Sequence, residues 1–173
     1  MSEATPNPIL PGRIWRFGDN VDTDAMAPGT QMKSGIEQIA RHCLAVLRPE
    51  FPQGVRRGDI IVAGENFGVG SSREQAPQAL RYLGVAAVLA PSFAGLFYRN
   101  AINLGLPVLV CRDTSTLADG AAATLDLEKA AVMLEDGRRV DCEPIPDFLL
   151  EMLRAGGLVA HLKGRLAAGQ RTA

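Results

Sequence analysis

Asp59-Ile60-Ile61-Val62-Ala63 runs into Gly64-Glu65-Asn66-Phe67-Gly68-Val69-Gly70 and then into Ser71-Ser72-Arg73-Glu74-Gln75-Ala76-Pro77. The opening run is short, apolar and β-branched, as a buried strand requires. Its glycines permit tight turns and close approach of a ligand to main-chain N–H groups. Residues 73–82 then read as a helix, stopped by Gly84. The loop thus joins the end of a buried strand to a helix N-terminus, where orphan N–H groups and the helix dipole favour an anion. Two hydroxyls, on Ser71 and Ser72, stand there with Arg73, whose guanidinium can grip a carboxylate through two parallel hydrogen bonds. A plainer reading also fits, because Ser71-x-x-Glu74 and Ser72-x-x-Gln75 both match a capping box. No Gly-Lys-Ser/Thr follows the glycines, so a Walker phosphate loop is a poor match.

Beyond this stretch, residues 85–90 form a second apolar strand pattern and residues 108–110 a third. A helix capped by Ser92 is expected between them, through about Asn103 and ended by Gly105. Strand, helix, strand, helix, strand implies crossover units and a mostly parallel sheet. Upstream, residues 13–17 alternate polar and apolar as a half-buried strand should. Asp19-Asn20-Val21-Asp22-Thr23-Asp24 follows as a polar loop without the glycine and distal glutamate of an EF-hand. Residues 36–47 show helical spacing. Downstream, residues 123–127, 131–134 and 138–140 read as short β segments, and residues 146–155 and 158–168 as helices. The prediction is an α/β chain forming a single domain over residues 1–173, with residues 1–11 as an extended lead-in.

At 173 residues, 47% hydrophobic and 21% charged, the composition is that of an ordinary globular protein. A formal net charge of −1 gives no electrostatic footprint for nucleic acid or an anionic membrane. No apolar run approaches the roughly 20 residues of a bilayer span, and no secretory signal pattern opens the chain. A cytoplasmic protein is expected. Cys43, Cys111 and Cys142 are odd in number and nowhere closer than 31 residues, so neither a disulfide framework nor a CxxC metal site is written here. His42 and His161 are also far apart. No metal site is expected on this chain alone.

Taken together, the segments resemble the small subunit of 3-isopropylmalate dehydratase and the swivelling C-terminal domain of aconitases. The resemblance rests on residues 18–24, residues 58–68 with 70–74, Ser92-Phe93-Ala94, and residues 97–107, in order across roughly residues 12–160. It implies a compact three-layer β/β/α swivelling domain. It also implies a hydro-lyase that moves a hydroxyl between adjacent carbons of a diacid through a cis-alkene, most simply 3-isopropylmalate to 2-isopropylmalate. A 4Fe-4S cluster would be carried by a large partner subunit, none being bound by this chain alone, and activity would require both chains. By the same resemblance Ser71 is the base, Arg73 holds a substrate carboxylate, and Ser72, Thr23 and Asp24 line the substrate site.

Several positions depart from that pattern. Val69 stands where leucine-pathway members have a cysteine, Gln75 where they have a histidine, and Gly95-Leu96 where they have Arg-Ile. By the resemblance, Gln31, Met32 and Lys33 fall in the loop that selects the substrate's side chain. Lys33 lies near the position where homoaconitase-type members place an arginine for a third carboxylate. A homoaconitase, dimethylmalate or methylmalate dehydratase subunit therefore stays open. So does a non-catalytic carboxylate- or RNA-binding domain, although no basic stripe supports RNA. A stand-alone acyl-transfer enzyme using Ser71 would need His42 or His161 as its base and lacks a Gly-x-Ser-x-Gly elbow.

Overall fold

The structure is a computed structural model that describes residues 9–171. Its centre is a seven-stranded sheet of order β4-β3-β2-β1-β5-β6-β7. Strands β1 (Ile9–Arg16), β2 (Ile60–Val62), β3 (Ala87–Ala90) and β4 (Val108–Val110) are parallel. Strands β5 (Ala122–Asp126), β6 (Ala131–Leu134) and β7 (Arg139–Asp141) continue the sheet antiparallel. Every residue of β2 and β3 is buried, as expected of parallel strands covered on both faces.

β1 holds the two halves together by dividing its pairing. Ile9–Arg13 are in register with β5, whereas Ile14–Arg16 are in register with β2. The sheet curls until its edges meet, and the Glu143 N–H donates to the Val110 carbonyl at 2.7 Å. The two β layers are therefore halves of one curled sheet. The helical layer includes α4 (Gln75–Tyr82) and α5 (Gly95–Asn103), which follow β2 and β3. Asp59 pins the inner end of β1 to β2. Buried at 5% exposure, its carboxylate accepts from the Arg13 N–H at 3.0 Å, Trp15 Nε1 at 2.8 Å and the Arg56 N–H at 2.9 Å.

Several boundaries differ from the sequence reading. Ile9–Pro11, expected in the lead-in, already form β1; the rest of the lead-in, residues 1–8, lies outside the described residues. The helix expected over residues 36–47 stops at His42, because Leu44 takes φ +58° and sends its N–H to the Ala25 carbonyl. The helix expected over residues 73–82 begins at Gln75, two residues later. α5 begins at Gly95 and Ser92 does not cap it. The Ser92 hydroxyl instead accepts the Asn66 N–H at 2.8 Å, so a tertiary partner displaced the local one.

Candidate active site

Two loops meet at the carboxyl end of β1 and β2, and neither is a site without the other. The glycine-rich loop leaves β2; residues 17–22 leave β1 and enter the one-turn helix α1 (Thr23–Met26), which the Asp22 carboxylate caps through the Ala25 N–H at 2.7 Å. Main-chain bonds zip the loops together: Gly68 N–H to Val21 carbonyl at 2.7 Å, Asn20 N–H to Glu65 carbonyl at 2.8 Å, and Thr23 N–H to Val69 carbonyl at 2.9 Å. Side chains extend the zipper, with the Glu65 N–H donating to Asp19 at 2.7 Å and Asn66 Nδ2 to Asn20 Oδ1 at 3.1 Å.

Here the glycines serve a purpose the sequence did not disclose. A Cβ on Gly64 would lie 1.9 Å from Asp19 Oδ1, and one on Gly70, at φ +114°, would lie 2.9 Å from Thr23 Oγ1. Their close approach is to the first loop. Beneath the loop, Phe67 is fully buried and meets Phe97 edge to face at 5.2 Å, which fixes the turn from below.

The zipper brings Ser71 and Thr23 together, Oγ to Oγ1 at 3.4 Å, with Thr23 buried and Ser71 exposed. It also brings Arg73 against Asp24. Arg73 Nη1 donates to Asp24 Oδ1 at 2.8 Å and to the Ala27 carbonyl at 2.9 Å, while the Gly29 N–H donates to the same Asp24 oxygen at 3.0 Å. The hydrogen bond from Arg73, then that from Gly29, hold the Asp24 carboxyl below its ordinary pKa. Both side-chain bonds of the guanidinium among the described residues use Nη1. Nε and Nη2 stay open, and that edge matches a carboxylate in two-point contact.

Neither serine caps the helix. The N-cap of α4 is Glu74 and no side chain bonds there, so the capping-box reading is overturned. The helix end is also a thinner anion site than expected. Arg73 N–H is taken by the Ser71 carbonyl at 2.8 Å, Ala76 N–H by the Arg73 carbonyl at 3.2 Å, and Pro77 has no N–H. The Arg73 side chain is the charged donor an anion would meet at this end.

The other expected residues are placed less tightly. Ser72 is exposed and forms no side-chain hydrogen bond among the described residues. Gly29 opens a 3-10 turn (Gly29–Gln31) beside the Arg73–Asp24 pair, and a Cβ there would lie 3.7 Å from Arg73 Nη2. Gln31 ends that turn, and Met32 and Lys33 follow it; Met32 packs partly on the core and Lys33 is exposed. His42 Nδ1 is engaged with the Gln38 carbonyl at 2.9 Å, and the hydroxyl partner of Ser71 is Thr23, so a serine–histidine acyl-transfer pair is not formed among the described residues. On the other side of the first loop lies a cleft of about 520 Å³, lined by residues including Arg16, Asp22, Asp24, Val46 and Leu47. Val46 is 78% exposed and Leu47 50%, a feature the helical spacing of residues 36–47 did not foretell.

No group of three or more His, Cys, Asp or Glu among the described residues could hold a metal ion. Cys43 is fully buried, which pushes its thiol upward. These residues do not fit an iron–sulfur cluster. Among the described residues no helix is long and apolar enough to cross a membrane.

The sequence matches the aconitase C-terminal domain family over residues 21–113, a span that contains both loops. It is 47% identical to the 3-isopropylmalate dehydratase small subunit of Halothermothrix orenii over 158 residues, 90% of this chain and 96% of that one. It is 49% identical to the methanogen homoaconitase small subunit of Methanothermobacter thermautotrophicus over 155 residues, 88% of this chain and 90% of that one. Among solved structures, the 3-isopropylmalate dehydratase of Methanocaldococcus jannaschii matches at a TM-score of 0.90 and 44% identity, covering 95% of this chain and 99% of that one.

Proposed function

This chain belongs to the aconitase C-terminal domain family, and from that premise we propose that it is the small subunit of a two-subunit hydro-lyase interconverting 3-isopropylmalate and 2-isopropylmalate through a cis-alkene. The observation that carries this reading is the pairing of an exposed hydroxyl, Ser71, with a guanidinium anchored through one nitrogen, Arg73, on an open edge of the fold. That arrangement is half of a site, because a serine base needs a desolvated, positive environment that an open edge does not supply. A docked large subunit would close it. The cluster typical of aconitase-type dehydratases belongs, in this reading, to that large subunit, where it would act as a Lewis acid on the departing hydroxyl.

The residues of this chain divide the remaining work. Arg73 takes a substrate carboxylate on Nε and Nη2 while Asp24 and the Ala27 carbonyl keep the guanidinium from turning. The held carboxylate sets the adjacent carbon over Ser71 Oγ, which removes its proton and returns one in the hydration direction. Thr23 Oγ1, 3.4 Å from Ser71 Oγ, hydrogen-bonds the serine oxygen, and in this reading Ser72 meets the same carboxylate. Residues 1–173 act as one swivelling unit, and the two-chain complex is placed in the cytoplasm.

A homoaconitase subunit is the second reading, favoured by the exposed Lys33 on the loop that starts beside Arg73. One experiment separates the two. The chain is co-expressed anaerobically with its large subunit, and alkene absorbance is followed with isopropylmalate, dimethylmalate, citramalate and homocitrate, beside a Ser71→Ala control. Turnover of isopropylmalate that needs both chains and vanishes in the control is the expected result. Preference for homocitrate would move the assignment to the second reading, and no turnover with any diacid would sink both.

A further inference from the structure

Cys111 and Cys142, 31 residues apart in sequence, meet where the curled sheet closes. Cys111 follows β4 and Cys142 follows β7, on the two edge strands. Their backbones are joined one residue away by the Glu143 N–H to Val110 carbonyl bond at 2.7 Å. Cys111 Sγ lies 4.0 Å from the carbonyl oxygen of Asp141, the residue preceding Cys142. A main-chain hydrogen bond one residue away, with one sulfur beside the backbone that precedes the other cysteine, brings the pair within the reach of a disulfide. Cys43, by contrast, is alone and fully buried.

We propose that Cys111 and Cys142 form a modification site, a dithiol that a hydroperoxide converts into an intramolecular disulfide linking the two edges of the sheet. Cys111 is fully buried and Cys142 partly exposed, so the peroxide meets Cys142. The Cys142 sulfur attacks the O–O bond and becomes a sulfenic acid, and an alcohol or water departs with the first thiol proton. The Cys111 sulfur then attacks the Cys142 sulfur, forming the S–S bond and releasing the transferred oxygen as water with the second proton. Two thiols lose two electrons and the peroxide gains them.

The test uses the full chain, reduced, freed of reductant and treated with hydrogen peroxide. Alkylation of the denatured product should show free cysteines falling from three to one, with a Cys111–Cys142 cross-linked peptide lighter by two hydrogens. The unfolding temperature should rise by about 10 °C on closing a loop of this length, and reductant should reverse the rise. The Cys142→Ser variant, which keeps a small polar group at a partly exposed position, should fold and show no rise. Three alkylatable cysteines after treatment, a cross-link through Cys43 or between chains, or the same rise in Cys142→Ser would overturn the proposal.

Discussion

Ser71 Oγ and Thr23 Oγ1 lie 3.4 Å apart although 48 residues separate them. The contact exists because residues 17–22 and 64–70 are hydrogen-bonded along their length, which sets the hydroxyls of two loops side by side.

Removing the Ser71 hydroxyl should abolish the proton transfer while sparing the fold. Ser71→Ala in the reconstituted complex is expected to lower kcat by roughly 10²–10⁴-fold, the range of a lost general base. Because Ser71 is exposed, the unfolding temperature of the chain should stay within about 1–2 °C. Thr23→Val should reduce kcat by a smaller factor. Equal activity of wild type and Ser71→Ala would remove the serine from the mechanism.

Arg73 and Asp24 should separate binding from positioning. Arg73→Lys loses the two-point edge, costing about 1.5–3 kcal/mol of carboxylate binding, and should appear mainly as a raised KM. Asp24→Asn leaves that edge but loosens its anchor, so a smaller, roughly 3–10-fold, rise in KM is expected. The pH dependence follows from the sign of the shift. Asp24 is depressed by Arg73, so its ion pair is present above its unfolded value of 3.8 and is lost as pH falls through the lower folded value. Tightening of KM across neutral pH that disappeared in Asp24→Asn would contradict this.

Gly64→Ala tests whether the glycines serve the loop–loop contact. The added methyl would meet Asp19 Oδ1 at 1.9 Å and the Asp19 backbone nitrogen at 3.0 Å. A cost of roughly 1–3 kcal/mol is expected, read as a lowered thermal midpoint, with activity lost alongside. An unchanged midpoint would mean that the loops are not held as described.

Asp59→Asn addresses the joint between β1 and β2. An amide supplies one acceptor where three donors converge, so a buried N–H loses its partner at about 1–3 kcal/mol. Chemical denaturation should show a lowered midpoint with an unchanged slope. A variant as stable as wild type would show the carboxylate to be dispensable.

Lys33→Ala reports on substrate choice. With isopropylmalate as substrate, kcat/KM should change less than about threefold, the behaviour of an exposed side chain that touches no ligand. A selective loss of homocitrate turnover would instead assign Lys33 to a third carboxylate.

The sequence alone determined the strand–loop–helix order, the buried strands and the placing of Ser71, Ser72 and Arg73 just beyond a glycine loop. These are local properties: apolar β-branched runs, helical spacing and glycine stops act within a few residues and leave a readable period. Tertiary structure decided what those local signals do. The Ser71 and Ser92 hydroxyls could each have capped a helix, yet one faces Thr23 and the other takes the Asn66 N–H, because partners distant in sequence outcompeted the near ones. The Asp24–Arg73 pair, the split pairing of β1 and the meeting of Cys111 with Cys142 also span from 31 to 117 residues of chain. No periodicity encodes such contacts. They arise only when a curled sheet buries its apolar faces and carries whole segments into register.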